Sequence, residues 1–317
     1  MLACTAQCVP AIITHVKDVY TFADLQHWRE ATVGVQPPIR LSVFGDPVAQ
    51  SKSPAMHNAA LAACGIDACY TRLHICPDGL AEAVRLLPHN GFVGTNVTFP
   101  HKTAMLALMD EVDEYARKIG AVNTVVVEGK KLRGFNTDGP GIVSAVRSEF
   151  SVDLGDLRIM VLGAGGGAGR AISVQCAMEN CAHLVLVNRT FEKSKILAEE
   201  LQSLFPSRRI DAVTWDESQL KSQLGQIDLV INATSVGIKA GDPSPLPPSL
   251  LTSRLLVYDT NYAAARTSLM RAADEVGARS ANGLSMLLHQ GALSFEIWFN
   301  RPAPLEAMRA ALEKAVT

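Results

Sequence analysis

The chain has 317 residues, 48% of them hydrophobic, enough for about two domains of roughly 100–200 residues, each with a buried core. Its 29 lysines and arginines against 31 aspartates and glutamates leave a net charge of −2, which excludes the basic field that nucleic acid or an anionic membrane surface requires. The seven cysteines are odd in number and include no Cys-x-x-Cys pair, so neither a zinc knuckle nor a disulfide framework is expected; free thiols in a reducing cytoplasm are.

Residues 1–14 carry no charge, but they lack a basic start and are interrupted by Gln7 and Pro10. They are also shorter than the ~20 apolar residues of a membrane span. Residues 1–38 read as an extension ahead of the main fold, without an assigned role, holding one helix near Phe22 to Glu30 and closing at Pro37-Pro38. From Ile39, short apolar runs alternate with helical ones. Strands are predicted over 41–44, 70–75 and 94–98, and helices over 54–64, 82–87 and 103–109. A hairpin follows, with 122–127 and 131–135 joined by Glu128-Gly129-Lys130. Such alternation predicts an α/β fold with a mostly parallel sheet over residues 39–138.

A helix from Gly139 bridges to a second alternation, residues 139–285, with strands at 158–162, 183–187, 228–231 and 255–258. This order matches a Rossmann unit. Helices at 286–299 and 305–315 are expected to fold back and complete the first domain, within residues 286–317.

The turn Gly163-Ala164-Gly165-Gly166-Gly167-Ala168 follows a strand directly and opens a helical run. Gly163 permits the tight turn, Gly165 lets the backbone approach a pyrophosphate, and the small Ala168 allows close helix packing, while the helix N-terminus favours negative charge. Alone, such a turn is weak; between strand and helix it predicts a dinucleotide site and a nicotinamide-dependent oxidoreductase. The next strand ends in Asn188-Arg189-Thr190, followed by Lys193, where an NAD site would place a carboxylate. A guanidinium and an ammonium suit a 2′-phosphate, so NADP is predicted; the alternative is ordinary solvated charge at a helix start. Asn232-Ala233-Thr234-Ser235-Val236-Gly237, also at a strand's carboxyl end, lines the cofactor cleft or is a plain loop.

In the first half, polar residues gather at strand ends: Ser51-Lys52-Ser53, Asn96-Val97-Thr98, Lys102, Asn123-Thr124 and Asn136-Thr137-Asp138. Hydroxyls and amides so placed suit a polyhydroxylated carboxylic acid, since each buried alcohol needs a partner. Hydride transfer without a metal needs a general acid/base, and Lys102 with Asp138 is the evident pair, although an isolated lysine is more often a surface residue. Three Asn-x-Thr triplets fit the glycosylation pattern but mean nothing without secretion. His57, His74, His101 and His289 show no metal-ligand spacing, so no metal is assigned.

Taken together, these segments resemble the shikimate dehydrogenase family from about Ile39 onward. The shared motifs are SKSPAMHN at 51–58, NVTFPHK at 96–102, GAVNT at 120–124, NTDG at 136–139, NRT at 188–190, NATSVG at 232–237, YDTNY at 258–262 and NGLSMLLHQGA at 282–292. The resemblance implies that Ser51, Ser53, Thr98, Asn123 and Gln290 hold the substrate's carboxylate and hydroxyls, with Tyr262 touching it from the cofactor side. Lys102 and Asp138 would be the catalytic pair. Gly163, Ala164, Gly165, Gly166 and Gly167 would meet the pyrophosphate, Asn188, Arg189, Thr190 and Lys193 the 2′-phosphate, and Thr260 and Gly283 the nicotinamide. It implies NADPH-dependent reduction of 3-dehydroshikimate to shikimate, a small-molecule reaction, and leaves a homodimer open.

The chain departs from the family pattern twice: Ala264 stands where a proline is usual, and the glycine turn is one residue longer before Arg170. The nearest rival reading is an NAD-dependent quinate/shikimate dehydrogenase, disfavoured by Arg189 and Lys193 and by Ser51 with Ser53. A non-catalytic dinucleotide sensor is a rival from another class, but it has no need of both Lys102 and Asp138.

Overall fold

In Arg158–Leu162, successive apolar side chains face opposite ways: Ile159 and Val161 join one buried cluster, Met160 and Leu162 another. A strand with two apolar faces must be covered on both, which is the signature of a parallel sheet between helical layers. The protein, described by a computed structural model over residues 16–237, 241–262 and 266–316, holds two such sheets.

The first sheet comprises β1 (Tyr20–Thr21), β2 (Ile39–Gly45), β3 (Cys69–His74), β4 (Gly94–Val97), β5 (Glu111–Val112), β6 (Thr124–Glu128) and β7 (Lys131–Phe135), ordered β1-β3-β2-β4-β6-β7-β5. It is parallel except where the β6–β7 hairpin reverses and β6 pairs antiparallel with β4. One face carries Phe44, Leu73, Val97 and Val125 under the helix Leu80–His89. The other carries Leu41, Val43, Tyr70 and Val126 under Ser53–Ala63 and the two last helices, Leu284–Phe299 and Leu305–Val316. Trp298 Nε1 donates to Val125 O at 2.9 Å, tying the penultimate helix to β6.

The segment read as an extension differs from expectation. β1 pairs with β3, and Tyr20, Leu25, Trp28 and Val35 are buried in the first core. The single helix expected near Phe22 to Glu30 is broken at His27 into Phe22–Gln26 and Trp28–Ala31; Thr21 caps the first half, and Asp24 closes the capping box. Two residues of strand leave little alternation to read, so this edge is invisible to periodicity. The uncharged stretch at residues 1–14 lies outside the described residues.

The second sheet comprises β8 (Arg158–Leu162), β9 (His183–Val187), β10 (Ile210–Val213), β11 (Leu229–Asn232), β12 (Leu256–Asp259) and β13 (Arg279–Asn282). All pairs are parallel, in the order β10-β9-β8-β11-β12-β13. The order reverses between β8 and β11, which opens a crevice at their carboxyl ends where doubly wound folds bind ligands. The helix Asp138–Phe150 packs on both Gly167–Met178 and Leu284–Phe299, joining the two halves.

His57 stacks on Tyr70 with ring centroids 4.5 Å apart, and neither ring nitrogen makes a hydrogen bond of normal geometry among the described residues. Burial of the ring pushes its pKa down to about 3. Because the unfolded chain binds the proton below the ordinary histidine pKa and the folded chain does not, this residue's contribution to stability is present above about pH 6.5 and lost as pH falls towards 3. His57→Phe should therefore lose about 2 kcal/mol less stability than wild type when pH drops from about 7 to about 5. Urea unfolding at the two pH values checks this, and parallel losses would contradict it.

Candidate functional site

The glycine turn begins as β8 ends, at the reversal point of the second sheet. Gly163 N and Ala164 N donate to Val187 O at 2.8 and 3.1 Å, pinning the turn to the end of β9. Gly163 has φ of +85°, and a Cβ there would lie 2.7 Å from Thr234 Cγ2. Asn232-Ala233-Thr234 thus abuts the turn from β11, so both strand ends at the reversal border one crevice. The closest backbone approach falls at Gly169 rather than Ala168, since a Cβ on Gly169 would stand 2.1 Å from Gly163 O. The position that must be small is therefore Gly169, one place beyond the expected Ala168.

A Cβ on Gly165 would lie 2.6 Å from Lys193 Cβ and 3.1 Å from Asn188 Nδ2, so the turn's outer edge rests against the end of β9. Asn188 Nδ2 donates to Thr190 O at 3.1 Å. Arg189, Thr190 and Lys193 are exposed, and neither Arg189 nor Lys193 has an acidic partner among the described residues. A bare cradle beside a helix N-terminus, flanked by two unpaired cations, fits a dinucleotide bearing an additional phosphate. Gly283 and Thr260 also touch: a Cβ on Gly283 would stand 2.0 Å from Thr260 O. Thr260 N donates to Asn232 O at 2.9 Å, which sets this pair on the same rim.

Across the crevice, Lys102 Nζ donates to Asp138 Oδ2 at 2.7 Å, with side chains 16% and 6% exposed. Lys102 Cβ and Cδ also lie 3.8 Å from the place a Cβ on Gly167 would take, so the lysine's stem runs beside the glycine turn. Its carbonyl accepts from Val122 N at 2.9 Å, fixing the lysine's backbone to the Gly120–Thr124 run. Asp138 opens its helix, and its amide donates to Asn136 Oδ1 at 3.0 Å. Asn123 Nδ2 donates to Asp138 Oδ1 at 3.0 Å, to Thr137 Oγ1 at 2.9 Å and to Gln290 Oε1 at 3.4 Å. Four residues distant in sequence, Lys102, Asn123, Asp138 and Gln290, therefore form one network.

Ser51 and Ser53 sit together, hydroxyl to hydroxyl at 3.2 Å. Their position is set by Arg72, which sequence reasoning missed: its Nε and Nη2 donate to Ser51 O at 2.9 and 2.7 Å. Thr98 N donates to Phe44 O at 2.9 Å, placing this residue just past the end of β4. Among the described residues, neither Thr98 nor Tyr262 bonds to the Lys102 network. Tyr262 follows β12 of the second sheet yet packs against the apolar cluster of the first, and burial pushes its hydroxyl's pKa up. The nearby Ala264, where a proline is usual, lies outside the described residues.

Beneath the network is a second layer, in which Asn96 and Thr124, both read as strand-end polar residues, meet Tyr70 and Ser294, which the sequence did not single out. Asn96 Nδ2 donates to Ser294 Oγ at 3.0 Å, Tyr70 Oη donates to Asn96 Oδ1 at 2.8 Å, and Thr124 Oγ1 lies 2.8 Å from Ser294 Oγ. Ser294 is one helical turn beyond Gln290 and donates to its carbonyl at 3.0 Å. That four-residue spacing is the signal that would have found it.

Family models and curated relatives agree on one family. Residues 43–125 match the shikimate dehydrogenase substrate binding domain, 144–238 the shikimate / quinate 5-dehydrogenase family, and 283–313 the shikimate 5'-dehydrogenase C-terminal domain. The chain is 40% identical to a shikimate dehydrogenase (NADP(+)) of Methanopyrus kandleri, over 86% of this chain and 94% of that one. It is also 40% identical to one of Symbiobacterium thermophilum, over 86% and 92%. Among solved structures, shikimate 5-dehydrogenase from Thermus thermophilus in complex with NADP(H) and shikimate is similar with a TM-score of 0.78 and 35% identity, over 87% of this chain and 99% of that chain.

Proposed function

The chain belongs to the shikimate dehydrogenase family, and from that premise we propose that it is an NADP-dependent shikimate dehydrogenase. It reversibly reduces 3-dehydroshikimate to shikimate, on the route to aromatic amino acids, in the cytoplasm. The observation that carries this reading is the Lys102–Asp138 pair, shielded from water and set against Gly167 of the glycine turn.

Residues 39–138, completed by 286–317, bind the substrate, and 139–285 hold the dinucleotide. The turn from Gly163 to Gly167 borders the pyrophosphate at a helix N-terminus; Val187 O takes the Gly163 and Ala164 amides and Gly163 O takes that of Gly166, which leaves the Gly165 and Gly167 amides to face it. Asn188, Arg189, Thr190 and Lys193 hold the 2′-phosphate, while Thr260 and Gly283 border the nicotinamide. NADPH, when bound, supplies the hydride that reaches the carbonyl carbon.

Ser51 and Ser53 take the substrate carboxylate, and Thr98, Asn123, Gln290 and Tyr262 its hydroxyls. Lys102 donates a proton from Nζ to the carbonyl oxygen as that oxygen gains charge, and takes it back in the oxidation direction. Asp138 orients the ammonium through one carboxylate oxygen, while its other oxygen is held by Asn123. Deuterium at the transferable position of NADPH should appear at the new carbinol carbon of shikimate. If it appeared in solvent instead, direct hydride transfer would be wrong.

A further inference from the structure

Behind the segment that carries Thr98 and Lys102, the carboxyl ends of β2 and β3 bring together three side chains that the proposed chemistry does not use. Asp46 follows β2, His74 ends β3, and Cys76 lies two residues beyond. His74 Nε2 is 2.8 Å from Asp46 Oδ1, and one ligand atom from each of the three residues lies within 4.8 Å of the other two. Donors around a tetrahedral zinc ion, at bond lengths of about 2.0–2.3 Å, stand about 3.3–3.8 Å apart, so a side-chain adjustment closes this trio on one ion. We propose that Asp46, His74 and Cys76 form a zinc-binding site with three protein donors and a fourth position open to water.

The donor chemistry selects the metal class. Imidazole, thiolate and carboxylate together suit a borderline-soft divalent ion, whereas magnesium and calcium favour oxygen alone. The backbone holds the ligands near one another before any ion arrives. Gly45 is the registered partner of His74, Asp46 N donates to Phe99 O at 3.0 Å, and Ile75 N donates to Gly45 O at 3.2 Å. His101 Nε2 meets Ile75 O at 2.6 Å, so the ligand segments and the segment leading to Lys102 form one bonded unit. His74 and Asp46 are partly exposed and Cys76 is exposed, which leaves a path for the ion to enter. A histidine–carboxylate contact alone is an ordinary surface pair of little energetic worth. The converging thiol distinguishes this one. Sequence spacing hides it, because 28 residues separate Asp46 from His74.

On binding, the Cys76 thiol releases its proton to solvent and His74 presents a neutral nitrogen, so affinity falls as pH falls. The test is titration of the full-length, reduced protein with cobalt(II), which takes the same geometry and is coloured. One equivalent should give the visible bands of a tetrahedral ion and a near-ultraviolet thiolate-to-cobalt band, both abolished by zinc. Cys76→Ser should remove the thiolate band, and His74→Ala should weaken binding by more than the roughly 10–100-fold typical of losing an outer-shell partner. Cys64→Ser should change neither, and circular dichroism of each variant separates lost ligation from lost fold. A thiolate band that persists in folded Cys76→Ser, or no tetrahedral spectrum in wild type, overturns the site.

Discussion

Lys102→Ala is expected to lower kcat by roughly 10²–10⁴ while leaving shikimate affinity nearly unchanged. Nζ carries the only transferable protons on that side chain, and at 16% exposure water replaces it poorly. The variant should still fold. Asp138 keeps its bond from Asn123 Nδ2 at 3.0 Å, and its amide keeps Asn136 Oδ1 at 3.0 Å, so the carboxylate does not become an orphan. The split between kcat and KM is the informative readout. A fall in affinity with kcat retained would make Lys102 a binding residue, and an unchanged kcat would remove it from the acid/base role.

Arg189→Ala is expected to weaken NADP binding by about tenfold to a hundredfold, the range of a lost charge-assisted hydrogen-bonding group, and to leave NAD binding nearly unchanged. Arg189 is exposed and has no carboxylate partner among the described residues, so its removal breaks no internal ion pair. Any loss therefore belongs to the ligand. Lys193, next to Gly165, supplies a second positive charge and keeps the loss from being complete. Measuring both dissociation constants checks the assignment, and equal weakening of the two cofactors would count against a 2′-phosphate contact.

The second sheet was largely readable from sequence because its central strands are apolar on both faces. β8 and β9 coincide with the expected ranges, and β11 and β12 differ by one residue at each end. Edge strands carried less signal. β13 is Arg279-Ser280-Ala281-Asn282, with a single apolar residue, and β10 is Ile210-Asp211-Ala212-Val213, four residues without clean alternation. The same limit hid β1 and made residues 20–35 read as an appendage, although Tyr20 and Leu25 are buried completely.

At the site, residue identity told more than pattern. Lys102, Asn123 and Asp138 stood out as polar residues at strand ends, and the structure joins them with Gln290 in one network. Arg72 was not readable, because its contact is with the backbone carbonyl of Ser51, 21 residues earlier, and depends on how β3 lies beside β2. Ser294 and Tyr70 escaped for a related reason: they support Asn96 from beneath, Ser294 from the packed helix Leu284–Phe299 and Tyr70 from β3, with β2 between it and β4. That the tight approach falls at Gly169 and not at the expected Ala168 needs the backbone path to be seen.

The most direct test of NADP-dependent shikimate oxidation is a comparison of initial rates of the purified protein on shikimate and on quinate, each with NADP and with NAD. Shikimate with NADP is expected to be fastest by a wide margin, as follows if Arg189 and Lys193 meet the 2′-phosphate and Ser51 with Ser53 take the smaller acid. Faster oxidation of quinate with NAD would contradict it.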